Sequence, residues 1–589
     1  MKKLFILLAL FLISESYANY TTPGTGVSWN LDSLVNNSSG SVTVSGSDYF
    51  FNDTLTISSS DTIKILTNVI MKFKTGVFID INGILIVNPP DSAKITAQDT
   101  TLKFLGLKFE DLSDGSVLKK LIMEYGNAIR MLDCNILIDS CTLRYNTLSS
   151  SFSSGAISFF RSNSIVSNCR IFRNRRAAIV SGANIASSPQ ILNNIIYENN
   201  SDNANVPQIN FGATGSAPMI IRGNTITGLF TNCGGISFLP VGSIPNAIIE
   251  NNIIKHNRYG IAIAGGNSNI YINNNIIDSN NIQGDPNLGG SGINFNGSAT
   301  QNSIVTRNII RGNLWGITVQ STAKPNMGDL SSPDTTDIGL NQIYGNGNSG
   351  QIYDLYNNTV DSLKAENNYW GTPDLDSVEA HIFHKPDNAA LGKVDYLPVA
   401  SVRLRLYAAI QGLNRADGRL IRTDSLICYL REASSPYSII DSATALLDSV
   451  NYTADFDFYN AGSTDSYSDY YIDVKHFNSV ETWCSNTVQV QRNSNVMFTY
   501  SFISSSSQAY ANNLILDNGK YCIYSGDVNQ DTFVDISDII NVKNDATVFL
   551  TGNRLPTDIN GDGSAGLDDV LIVNNNSSSF IRLRSPLNP

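Results

Sequence analysis

Short runs of alternating apolar and polar residues recur through the middle of the chain, and one phrase keeps returning. It reads ILIDSCTLRYN, IVSNCRIFRN, ILNNIIYENN, IIRGNTITGL, IIENNIIKHN, YINNNIIDSN, IVTRNIIRGN, IGLNQIYGN and KAENNYWGT. Its central position is held by Cys141, Cys169, Asn194, Asn224, Asn252, Asn275, Asn308, Asn341 and Asn368. Successive spacings are 28, 25, 30, 28, 23, 33, 33 and 27 residues, so the register repeats while the loops vary. A second phrase follows the first seven copies, centred on Ile157, Ile179, Ile209, Ile236, Ile261, Ile293 and Ile317. Period-2 runs of β-branched residues between Gly and Asn turns predict short strands, and no amphipathic helical pattern separates them.

A repeat of this length built only from strands predicts an all-β fold whose main part is a parallel β-helix, each coil stacked about 4.8 Å above the last. Asn at an inward bend then bonds its counterparts above and below, so buried amides satisfy one another. Cys141 and Cys169, at the same position, read as small buried apolar groups. Here the chain resembles right-handed β-helix proteins of the pectin-lyase-like fold over roughly residues 45–398. The resemblance is sharpest at AENNYWGTPDLDSVEAHIFHKPDNAALGKVDYLPV (365–399), similar to the closing turn and cap of secreted bacterial β-helix proteins. TIKILTNVIMKFKTGVFIDINGILIV (62–87) resembles their first coils.

The amino terminus, MKKLFILLALFLISESYA, has the charged start, apolar core and small residues of a secretory signal peptide over 1–18, which predicts a secreted or cell-surface protein without a membrane span. A formal charge of −12 and a lack of basic runs argue against nucleic acid as a partner. Seven cysteines in 589 residues make no disulfide scaffold, and an odd number leaves at least one thiol unpaired.

Families of the β-helix fold include polysaccharide lyases, glycosidases and proteins with no demonstrated chemistry, and fold alone does not choose among them. Hydrolysis needs two facing carboxylates, and a lyase needs a base with a cation beside the uronate. Neither the paired-Asp phrases nor the RxPxxR phrase of such families is present, so no catalytic residue is assigned. The best constellation is KHNRY, with Lys255, His256 and Arg258; three positions beyond the ladder residue, other repeats place Arg144, Tyr197 and Arg311. If that column points outward, it offers cations and rings to a glycan. His381 and His384 share one turn but lack a third metal ligand nearby.

From Ser401 the alternation changes to longer strands, predicting a small antiparallel β-sandwich over 401–524 after a β-helix and cap over 19–400. In 525–589, Asp527, Asn529, Asp531, Phe533 (through its carbonyl), Asp535 and Asp538 stand at positions 1, 3, 5, 7, 9 and 12 of a calcium loop. A second loop, 31 residues on, supplies Asp558, Asn560, Asp562, Ser564 (carbonyl) and Asp569. Paired loops followed but not preceded by a helix resemble dockerin modules over about 525–585, which implies two calcium ions and a cohesin-like or cell-surface protein partner. Thr532 replaces the usual Gly at position 6, the partner-reading pairs are Ile536-Ser537 and Leu567-Asp568, and the helices are expected to end within about two turns. Together these readings predict a secreted protein that binds or processes polysaccharide, as a lyase or hydrolase if it is an enzyme, tethered by its terminal module. The alternative is a non-catalytic surface or adhesion scaffold.

Overall fold

The computed structural model describes residues 19–148, 154–241, 244–297, 302–464 and 466–588. The leader expected at 1–18 lies outside them. The chain divides into two compact units: residues 1–326 with 343–363 and 382–394, and residues 327–342 with 364–381 and 395–589.

The first unit is a coil of three sheets with fourteen, thirteen and eleven strands, parallel except for the antiparallel pair Val42–Ser45 and Asp48–Phe51 at the start of the thirteen-stranded one. In the fourteen-stranded sheet the isoleucines of the second phrase stack in one register, Ile157 on Ile179, Ile209, Ile236, Ile261, Ile293 and Ile317. All seven are fully buried, and each removes apolar surface worth about 1.5–3 kcal/mol from water. Helix α1 (Leu31–Asn37) sits near the amino-terminal end. Asn30 and Ser33 close a capping box at its start, a local signal the repeat pattern does not contain.

Two bends per coil explain why Asn recurs. The residue before each first-ladder position has a left-handed backbone, at Ser140, Asn168, Asn193, Gly223, Asn251, Asn274, Arg307, Leu340 and Asn367. Glycine and asparagine adopt that conformation most readily. The next side chain then turns inward. The backbone N–H of Cys169 donates to Asn194 Oδ1 at 2.9 Å, and Asn194, Asn224, Asn252 and Asn275 each donate likewise to the following Asn at 2.9–3.0 Å.

A second ladder, not anticipated as such, runs five residues later through Asn146, Asn174 and Asn199 and again through Asn257, Asn280, Asn313 and Asn346. The repeat centred on Asn224 has Leu229 where this Asn belongs. Gln208 fills the gap, accepting from Asn199 at 3.0 Å and donating to Asn257 at 3.1 Å. All seven cysteines are buried free thiols, and Cys141 and Cys169 keep their places in the first stack.

In the second unit, strands of 402–501 form a three-stranded and a five-stranded sheet that share one apolar core. Trp483 and Cys484 are both buried, Cys484 within that core. The loop at 527–538 leads into α3 (Ile536–Thr547) and the loop at 558–569 into α4 (Leu567–Ser578), with α2 (Leu375–Ala380) earlier in the chain. α3 and α4 have 12 residues each, longer than the two turns expected. Asp538 and Asp569 accept from the backbone at each helix start, and Val542, Val573 and Asn576 are buried, so packing carries both helices through Asn- and Ser-rich sequence.

Asn252→Ala removes the acceptor of the Asn224 N–H and breaks one rung. With one or two buried groups left unpaired, the loss is about 2–4 kcal/mol. Urea unfolding should show a clearly lower midpoint; an unchanged midpoint would contradict the ladder's structural role.

Candidate functional site

The column chosen from the sequence is real as a register. Arg144 pairs with Phe172, and the row continues through Tyr197, Thr227, Lys255 and Asp278 to Arg311 on one face of the thirteen-stranded sheet. Its charges are largely engaged. Arg144 Nε donates to Glu124 Oε2 at 2.9 Å, and Arg311 Nε donates to Asp278 Oδ2 at 3.0 Å while its Nη1 reaches Tyr344 Oη at 3.1 Å. Phe172 and Tyr197 stack on each other at 4.6 Å. Lys255 has no ion pair among the described residues. Burial would raise the Glu124 carboxyl, but Lys94 and Arg144 outweigh it and hold the group below the ordinary glutamate range. His256 stands at a left-handed bend just before Asn257, which fixes its backbone for the ladder. His384 is buried, with its Nδ1 accepting from the Val394 N–H at 2.8 Å.

Arg258 is turned to a different surface, the outer side of the fourteen-stranded sheet. There a trough of about 600 Å³ crosses successive coils. Two outward columns make its floor: Ser237, Ala262, Asn294, Thr318 and Tyr356, and beside them Ala264, Asn296, Gln320 and Asn358. The loop around 281–290 forms one wall, and Trp315 Nε1 donates to its Pro286 carbonyl at 3.0 Å. Trp315 lies 4.7 Å from Tyr353 and 4.8 Å from Tyr356, whose ring stacks on Phe383. Arg258 Nε donates to the Leu288 carbonyl at 2.7 Å, and its Nη2 and Nη1 donate to Leu288 O and Asn205 Oδ1. Gly289 is required beside it, since a Cβ there would lie 2.8 Å from Arg258 Cγ. Burial pushes the Tyr259 hydroxyl up to about 12.

The trough's residues are absent from the column chosen from the sequence, yet a signal exists. The spacing from Asn275 to Asn308 is one of the two longest, and its surplus residues form the wall.

The two acidic loops share one hydrogen-bond pattern at an offset of 31 residues. Asp531 N–H donates to Asn529 Oδ1 and Asp562 N–H to Asn560 Oδ1; Phe533 N–H donates to Asp531 and Ser564 N–H to Asp562. Asp538 and Asp569 each accept from the backbone of position 9. In the first loop, carboxylate oxygens of Asp527, Asp531 and Asp538 lie within 4.8 Å of one another. Burial and the charge of Asp538 push the Asp527 carboxyl up to about 7. In the second loop, Asp558 Oδ2 accepts from Gly563 N–H at 3.1 Å and pairs with Arg422 Nη1 at 3.2 Å, while Oδ1 is buried without a partner. Both loops suit a hard divalent cation: the first by convergent charge, the second by its orphaned carboxylate oxygen. Ile536 and Leu567, Ile540 and Leu571, and Phe549 and Phe580 are exposed pairs at the same offset, the last two 81% and 85% exposed.

The family described as "Right handed beta helix region" matches residues 106–237. Among solved structures, the chain is similar to a point mutant of the periplasmic alginate epimerase AlgG, at 13% identity over 63% of this chain and 83% of that one, with a TM-score of 0.40. It is also similar to an alginate lyase from Paenibacillus sp. str. FPU-7, at 13% identity over 61% and 99% of the two chains, TM-score 0.28. A third is the pectate lyase Pel9A, at 12% identity over 59% and 70%, TM-score 0.19. No curated protein sequence matches the chain. Among the described residues, no helix is long and apolar enough to cross a membrane.

A depressed glutamate stabilises the fold above its unfolded pKa of about 4.3, and that contribution fades as pH falls through the folded value. Glu124→Gln therefore lowers the urea midpoint at pH 7, and the gap to the parent narrows in acid. A gap that stays constant with pH would contradict the ion-pair account.

Proposed function

We propose that the protein is exported and binds an extended polysaccharide along the outer face of its fourteen-stranded sheet. The observation that carries this reading is the trough, where Trp315 and Tyr356 stand beside open amides at Asn294, Gln320 and Asn358. Rings pack on the C–H faces of sugars, and amides bond their hydroxyls. Each coil adds one residue to each column, at strand spacing, which gives the floor a repeat close to the rise of one sugar in an extended chain. The face with Arg144, Tyr197, Lys255 and Arg311 is a second candidate, weakened because two of its three cations are already paired. Among the described residues that line the trough there is no carboxylate, so the reading there is of binding rather than hydrolysis.

The terminal module belongs to the same proposal as a calcium-stabilised tether. Calcium supplies the charge that balances the clustered carboxylates. Asp527, Asn529, Asp531, the Phe533 carbonyl, Asp535 and Asp538 would hold one ion; Asp558, Asn560, Asp562, the Ser564 carbonyl and Asp569 would hold the other. The duplicated apolar pairs on α3 and α4 support a protein partner on that face.

Affinity electrophoresis in polysaccharide gels tests the binding reading. Trp315→Ala should weaken retention about tenfold, the effect of losing one stacked ring and its hydrogen bond. Equal retention of variant and parent would sink the trough as the site. Chelator should lower the melting temperature of the second unit, with no effect in an Asp527→Asn, Asp558→Asn double variant. A parent insensitive to chelator would refute calcium. Ile540→Asp with Leu571→Asp should leave calcium-dependent melting intact while releasing the protein from its cell-surface partner; retention unchanged would remove the tether.

A further inference from the structure

We infer that the trough takes an uncharged, hydroxyl-rich glycan and holds it without cleaving it. This rests on the polysaccharide reading proposed above and names the class of chain that fits.

A polyuronate carries a carboxylate on every sugar, so a trough spanning several coils would need about one cation per coil to receive it. Among the described residues lining the trough there is one cation, Arg258. Three of its five N–H donors are already directed at Leu288 O and Asn205 Oδ1. The chain as a whole carries a formal charge of −12, which repels a polyanion at long range.

What the trough does offer matches hydroxyls. Asn294, Gln320 and Asn358 sit on three successive strands of one sheet. Their side-chain amides make no hydrogen bond within the described residues. An amide both donates and accepts, as a sugar hydroxyl does, whereas a carboxylate only accepts. The ring of Trp315, fixed through Pro286, supplies a surface for the C–H face of a sugar.

The same lining excludes cleavage there. Among its described residues there is no carboxylate, histidine or lysine, so they supply neither an acid–base carboxylate pair nor a lysine base for β-elimination. Arg258 stays ionised, and the Tyr259 hydroxyl, at about 12, stays protonated at neutral pH.

The test is affinity electrophoresis of the full-length protein in gels containing neutral polymers (galactomannan, xyloglucan, mixed-linkage glucan) or uronate polymers (polygalacturonate, alginate), with the polymer recovered and sized. The expected result is retardation by a neutral polymer, insensitive to added salt, with polymer length unchanged. Asn294→Ala with Gln320→Ala should weaken it about tenfold, two lost hydrogen bonds. Retardation by a uronate polymer that salt and Arg258→Gln abolish would overturn the neutral class while leaving the polysaccharide reading intact. Shortened neutral polymer would overturn binding without cleavage. No retardation by any polymer would overturn both the inference and the reading beneath it.

Discussion

The coil from Cys141 onwards depends on a single constraint that recurs at two bends: a left-handed residue followed by an inward side chain, most often asparagine. The left-handed residue turns the chain, and the asparagine beside it takes up the N–H groups that the turn leaves buried. At Asn252, for example, Oδ1 accepts from Asn224 above while Nδ2 reaches Asn275 and the Ile221 carbonyl. An unpaired buried amide is costly, so each rung holds its neighbours in register. That register in turn places one isoleucine over the next in the fourteen-stranded sheet. A strand slipped by one residue would point its apolar side chains at water.

Because the ladders fix the coil, the loops between them are free to vary, and the proposed binding trough lies where they do. The surplus residues between Asn280 and Ser291 rise as a wall beside the outer face of the long sheet. They bring Pro286 to Trp315 and Leu288 to Arg258. The rigid floor contributes one outward residue per column from each coil, giving a regular surface. Nearer the amino-terminal end of the same sheet the outward residues are charged, and Lys108 bonds Glu110 beside Asp80. A trough with Arg258 as the one charged side chain among its described lining residues is thus a local property of the later coils.

Much of this was legible in the chain itself. Asn and Cys at a repeating position, with Ile in the second phrase, gave the coil, its first ladder and its inward column. The second ladder was written in the same phrases as their final Asn. It was missed because a terminal Asn reads equally well as a turn residue, and because Leu229 interrupts it until Gln208 crosses from elsewhere in space. The Arg144–Arg311 column was legible as geometry but not as electrostatics. Glu124 and Asp278, which occupy those cations, lie on neighbouring coils whose contacts only folding reveals. Asn294, Gln320 and Asn358 carry no local signature, since an outward amide in a strand resembles any solvated residue. The acidic loops were legible as a duplicated pattern of short-range hydrogen bonds, whereas Arg422 beside Asp558 comes from 136 positions earlier in the chain.

The most direct measurement is hydrogen exchange of the backbone with and without a retained polysaccharide. The account predicts slowed exchange in Ser291–Gly297, Trp315–Ser321 and Leu355–Asn358, with Thr142–Arg144 and Ile309–Arg311 unchanged. Protection confined to the Arg144–Arg311 face, or absent from the trough strands while the polymer is bound, would contradict it.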